Sequence, residues 1–202
     1  LGFGLSKDMI KLGGIGAVIC MLAAIEGIVA IVMLWVSPID YAFAGAHMDF
    51  GGGIGWAAGI SLISIGAFGL WKHYKHKFSL TVGIVGMITM AAGLIASIIL
   101  WLNGGATTSI SLFTQGVPLL NLVGIPGIVW LELNGVFLIL LGVPLFQLKE
   151  KTGVLNATRS AGILSLLVGA MYCAVIPFGY LAPQVLTMIT TIIVAYVLFK
   201  SK

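Results

Sequence analysis

The sequence is short of charge. Only 8% of its 202 residues are Asp, Glu, Lys or Arg, against roughly 25% in a soluble domain. A water-soluble fold so poor in charge cannot cover its own surface, so lipid is the expected solvent. Cysteine is nearly absent. Cys20 and Cys173 both lie inside apolar runs and read as small buried hydrophobes, not as a disulfide framework or metal motif. Histidine is confined to His47, His73 and His76, none of them in a long apolar segment, which excludes a bis-histidine haem site at membrane depth. There is no Cys-x-x-Cys, P-loop, Gly-x-Ser-x-Gly or His-Glu-x-x-His pattern. There is also no arginine-rich voltage-sensing segment and no TVGYG-like filter. A self-contained membrane enzyme would find little here for acid–base, metal or redox work. No enzymatic activity, no cofactor and no nucleic-acid partner are expected.

Apolar sequence is what the chain has in abundance: 60% of residues are hydrophobic and the mean hydropathy is +1.17. Six apolar segments stand out, at about 12–36, 51–71, 79–102, 126–147, 160–177 and 184–199. A spanning helix needs about 20 apolar residues, so the expectation is an all-α integral membrane protein. It would form one polytopic domain over 1–202, with about six transmembrane helices and short connections. The last two segments are separated by Pro177-Phe178-Gly179-Tyr180-Leu181-Ala182-Pro183, a cluster that favours a turn. A single helix over 160–199 would be about 60 Å long, roughly twice the hydrocarbon thickness. The opening Leu1-Gly2-Phe3-Gly4 lacks the basic region of a signal peptide, and the first apolar run is too long for a cleaved core, so that run is expected to remain as the first span.

The basic residues fix an orientation. Lys7 and Lys11 precede the first span, and Lys72, Lys75 and Lys77 lie between the second and third. Lys149, Lys151 and Arg159 lie between the fourth and fifth, and Lys200 and Lys202 follow the last. With six spans all ten fall on one side, and the opposite loops hold only Asp40 and Asp49 as charged groups. Lys/Arg asymmetry places that side in the cytoplasm, with both termini, in the cell membrane of a prokaryote. Trp35 and Trp101 at outer boundaries and Trp71 at an inner one suit interfacial anchoring. His73 and His76 belong to the basic surface patch. The sequon Asn156-Ala157-Thr158 falls on the cytoplasmic side and should carry no glycan.

Glycine is frequent, at 28 residues, and most of it lies within the spans. Small residues let helices approach closely in lipid, so a tightly packed, glycine-rich bundle is expected, with Gly55-x-x-x-Gly59 and Ala23-x-x-x-Gly27 as contact stripes. At an offset of 76, Gly59, Gly66, Gly86 and Gly93 align with Gly135, Gly142, Gly162 and Gly169. That spacing would relate spans two and three to spans four and five as a parallel repeat. The uncharged stretch from Asn103 to Ile125, with Gly116, Pro118 and Gly124, suits an outer surface, a re-entrant segment or a contact with another subunit.

Two acidic residues fall inside spans, Glu26 and Glu132. Intramembrane ionisable groups usually face a bundle interior and mark pathways or relays. Counted from Trp35 and Pro126, both lie in the outer half at similar heights. Together they would form a proton or cation site. The structural alternative is a carboxyl held by a hydrogen bond from Asn134, a threonine of the sixth span or another neighbouring helix. In the first outer loop Asp40, His47 and Asp49, beside Tyr41 and Met48, offer carboxylate and imidazole to a divalent metal, although a solvated polar loop explains them as well.

Three functional readings follow. The favoured one is an accessory or structural subunit of a larger membrane complex, packing on other membrane subunits or on itself through glycine-rich helices and the uncharged outer segment. The second is a small transporter or channel coupled through Glu26 and Glu132. The third, a membrane enzyme or cofactor carrier, would need ligands from a partner.

Overall fold

The structure, a computed structural model, describes residues 2–36, 54–102, 119–174 and 181–201. All regular structure among them is helical: α1 (Gly2–Val36), α2 (Trp56–Tyr74), α3 (Lys77–Leu102), α4 (Leu119–Gln147), α5 (Leu155–Cys173) and α6 (Leu181–Lys200). Two stretches of these helices are long and apolar enough to cross a membrane by length and composition, Gly4–Val29 in α1 and Lys77–Ile95 in α3. Glu132–Gln147 and Gln184–Lys200 are shorter apolar helical stretches.

Helix starts differ from the apolar segments where polar residues continue a helix. α1 begins ten residues before its apolar run and carries Lys7 and Lys11 on its first turns. α4 begins at Leu119 and runs through Pro126, so the last part of the uncharged stretch, placed ahead of the fourth apolar segment, is helical. In α6, Pro183 sits within the first turn, where its missing N–H costs no helical hydrogen bond. A single helix over 160–199 does not occur. α5 ends at Cys173, where the Ala174 N–H bonds Ala170 O, and α6 starts afresh at Leu181.

Each helix packs on its neighbours in sequence, and α1 also packs on α6, so the order closes into a ring. This alternating path brings the described basic residues to one end of the bundle. The α2–α3 turn is two residues long, Lys75 and His76, and Lys75 adopts a left-handed φ of 54° to make it. Such a φ is uncommon for a side-chain-bearing residue and serves here to reverse the chain. The α4–α5 turn is tied by Thr152 N–H to Leu148 O at 3.2 Å and by a Thr152–Thr158 hydroxyl pair at 2.7 Å. Gly153, with φ 80°, supplies the left-handed residue there.

The core joins all six helices. Ile10, Ala17 and Cys20 of α1 meet Ile60, Ile63 and Leu70 of α2, Val82 of α3, Phe137 and Leu141 of α4, Val168 of α5, and Val194 and Leu198 of α6. Buried hydroxyls within it donate back to their own helix: Ser64 to Ile60 O at 2.7 Å, Thr89 to Val85 O at 2.9 Å, Thr190 to Leu186 O at 2.7 Å and Thr191 to Thr187 O at 3.0 Å. Such back-bonds satisfy a hydroxyl without a partner helix, although Thr89 also reaches Leu133 O of α4 at 3.4 Å. Ser165 is the exception, with Oγ fully buried and no hydrogen bond.

Candidate functional site

Glu26 and Glu132 are placed by different parts of the ring. Glu26 is half-buried on α1, which packs on α2 and α6. The next residue, Gly27, lies against the Gln184 side chain of α6, which a Cβ on the glycine would approach to 3.4 Å. Glu132 is exposed on α4, which packs on α3 and α5.

Helix contacts also set the two carboxylates at different levels. Gly13 abuts Gly66 and Gly16 abuts Ile63, which puts Ser64 level with residues 13–16 of α1. Gly86 in turn lies between Ser64 and Phe137, which brings Phe137 of α4 to the same level. From there Glu26 lies ten to thirteen residues toward the far end and Glu132 five. At 1.5 Å per residue the difference in height is about 10 Å. The expectation of similar heights came from counting in from the outer ends. It is displaced because α4 continues outward beyond Pro126.

Asn134 and Glu132 leave α4 on different faces. Asn134 is buried and Glu132 exposed, two positions apart on one helix, and residues i and i+2 face opposite ways. The contact that reaches Glu132 runs through its backbone: Cys173 Sγ lies 3.9 Å from Glu132 O. Asp40, His47 and Asp49 fall outside the described residues.

Close helix contact is the best-defined local chemistry. On α1 and α2, a Cβ on Gly59 would collide with Cys20 Sγ and stand 2.9 Å from Gly16 O. On α5 and α4, a Cβ on Gly135 would stand 2.5 Å from Cys173 Sγ and 2.8 Å from Gly169 O. One motif, Gly-x-x-x-Cys against a single glycine, is used twice. The offset of 76 relates the receiving glycines, Gly59 and Gly135. It does not relate the helices that fill them, because α2 receives α1 whereas α4 receives α5. Gly86 meets Ser64 and Phe137, but Gly162 meets Gly142 and Phe146, so the α2–α3 and α4–α5 contacts are not copies.

At the basic end, side chains bridge helices that are distant in sequence. His76 donates from Nε2 to Gln147 Oε1 at 2.8 Å, and its Nδ1 lies 3.0 Å from Ser79 Oγ. With Nε2 protonated it donates to Gln147 while Nδ1 accepts from Ser79. Ser6 Oγ of α1 lies 3.4 Å from His73 Nδ1. Tyr74 shares a hydrogen bond with Ser201, and burial pushes its phenol above the ordinary range against that bond's opposite pull. Composition marked His73 and His76 only as members of a basic patch. The Gln147 contact spans 71 residues and has no local sequence signal. A surface cavity of about 360 Å³ lies nearby, lined by Val154, Leu155, Asn156, Ala157 and Tyr196.

Comparison with protein-family models, curated proteins and solved structures finds no match to this chain.

Proposed function

We propose that this chain is an accessory, structural subunit of a larger protein complex in a prokaryotic cell membrane, with six spans and both termini cytoplasmic. The observation that carries the reading is how the polar interior is used. The buried hydroxyls of Ser64, Thr190 and Thr191 bond carbonyls of their own helices. Thr89 bonds its own Val85 O and also Leu133 O of α4, Tyr172 of α5 pairs with Thr187 of α6, and the glycine seams bring backbones into contact. The interior is occupied by packing. The lipid assignment draws on α3, whose exposed Ile84, Met87, Ile88, Leu94, Ile95, Ile98 and Leu102 are all apolar. A surface of that kind is stable in hydrocarbon and unstable in water. The described basic residues meanwhile gather at one end, as orientation in a membrane requires.

Extraction of the native protein in mild detergent, followed by size exclusion and mass spectrometry, tests the reading. Stoichiometric co-elution with larger membrane subunits is the expected result. A lone monomer or homodimer would overturn it in favour of the second reading, a small transporter or channel. That alternative draws on Glu26, which is half-buried on α1 beside the Gly27–Gln184 contact with α6. For a transporter, Glu26→Gln would abolish proton or cation coupling while leaving the folded protein intact.

A further inference from the structure

Glu132 stands apart from every other exposed charge among the described residues. Among the described residues, Lys7, Asp8, Lys11, Lys72, Lys75, Lys77, Glu150, Lys151, Arg159 and Lys200 are exposed and all lie at the basic end. Glu132 is exposed about fifteen residues from Gln147, where α4 ends, or about 22 Å along the helix. A hydrocarbon layer about 30 Å thick measured from that end encloses it. Its carboxylate has no hydrogen bond or ion pair with the described residues. A charged group facing hydrocarbon alone is costly, and such groups pair or turn inward. Among the described residues, Glu132 does neither.

Its surroundings also differ from a lipid-facing surface. Val129, Glu132 and Val136 form an exposed stripe at helical spacing on α4. The Cys173 contact brings α5 alongside, with exposed Ala170 and Ala174. Small side chains of this kind let a further helix approach closely. The described exposed residues of α3 from Ile84 to Leu102 are bulky apart from Ala91 and carry no charge.

We propose that this face of α4 and α5 seats a spanning helix of another subunit, and that the helix presents a lysine or arginine to Glu132. The proposal rests on the membrane-subunit reading and names its contact. Charge complementarity selects the occupant. A second copy of this chain has all ten of its basic residues outside the apolar segments, so it has no cation to offer at the level of Glu132. A partner helix with a basic residue in its apolar stretch supplies one, and each charge then satisfies the other.

The test places a photoreactive benzophenone side chain at position 136 or 170 of the full chain, with positions 84 and 95 on α3 as controls. Cross-linking is done in native membranes and mapped at peptide level. Expected is a cross-link from 136 and 170, and not from 84 or 95, to the apolar segment of one partner, within about one helical turn of a Lys or Arg. Glu132→Lys should then abolish co-elution of that partner, and exchanging the partner's basic residue for Glu should restore it. Cross-links from 136 and 170 to lipid alone, to a second copy, or to a segment without a basic residue would overturn the proposal. If subunits co-elute but contact other faces, this inference falls and the subunit reading stands. If nothing co-elutes, both fall.

Discussion

Gly59 on α2 and Cys20 on α1 meet so closely that the glycine has no room for even one more carbon, and Gly135 and Cys173 repeat that contact between α4 and α5. Helix association in lipid depends on close packing, so these two seams are where a single methyl group should matter most. Overpacking a tight core costs about 1–3 kcal/mol. Gly59→Ala and Gly135→Ala are each expected to destabilise by that amount in a reversible unfolding assay in detergent. Gly4, which has nothing within 4 Å of an added Cβ, is the control, and Gly4→Ala should be neutral or slightly stabilising. Cys20→Ala should recover part of the loss in the Gly59→Ala background, because it removes the colliding sulfur. Equal effects at positions 4 and 59 would show that the seam is not tight.

The two seams also show how far the sequence could be read. Glycine at small-x-x-x-small spacing announces that some backbone contact forms, and Gly59 lies in one. It does not name the partner helix, since any antiparallel neighbour with a small residue fits. The repeat spacing accordingly paired the right receiving glycines with the wrong helices. The six helices were legible because long apolar runs are a direct physical signal, although among the described residues only Gly4–Val29 and Lys77–Ile95 are long and apolar enough to cross a membrane. The gathering of basic residues at one end was legible too. Helix ends were less so: Lys7 and Lys11 continue α1, and Pro126 is passed over within α4. The relation between Glu26 and Glu132 was not legible, because relative height depends on helix register, and register is set by the glycine contacts.

Ser165 offers a test of the polar interior. Its hydroxyl is fully buried without a hydrogen bond, whereas Ser64 donates to Ile60 O. An unsatisfied buried hydroxyl carries its desolvation cost, about 1–3 kcal/mol. Ser165→Ala should therefore be neutral or stabilising in the same unfolding assay. Thermal destabilisation comparable to a core truncation would show that the hydroxyl is engaged in the assembled protein.

His76 links the α2–α3 turn to the end of α4 through Gln147. A hydrogen bond of this kind contributes about 0.5–1.5 kcal/mol net, and its exposure puts the value at the low end. Gln147→Ala should cost a few tenths of a kcal/mol, and His76→Ala somewhat more because it also removes the Ser79 contact. The double variant should cost little more than His76→Ala alone, since both remove the same contact. Additive losses would separate the two side chains.

Tyr74 predicts the sign of a pH effect. Burial raises its phenol in the folded state, so the folded protein holds this proton at a pH where the unfolded chain has released it. Stability from Tyr74 is fully present below the ordinary tyrosine range and is lost as pH rises through it. Lysines titrate there as well, so the measurement is a difference. Tyr74→Phe should unfold less steeply with rising alkalinity than the parent, and the two should run parallel below that range. Identical alkaline limbs would remove Tyr74 from the balance.

The orientation itself can be measured with thiols. Cys20 is fully buried and should not react, so Cys173→Ala provides a quiet background for single reporters. Lys75 lies in the α2–α3 turn at the basic end, and Asp49 belongs to the loop expected on the opposite side. A membrane-impermeant maleimide should label Asp49→Cys in intact cells and Lys75→Cys only after permeabilisation. In the six-span reading, moving the basic end across the membrane would take Lys7, Lys72, Lys75, Lys151 and Arg159 with it, against the asymmetry that sets topology. Labelling of both positions in intact cells would break the six-span count. The reverse pattern would turn the bundle over and place Glu132 nearer the cytoplasmic side.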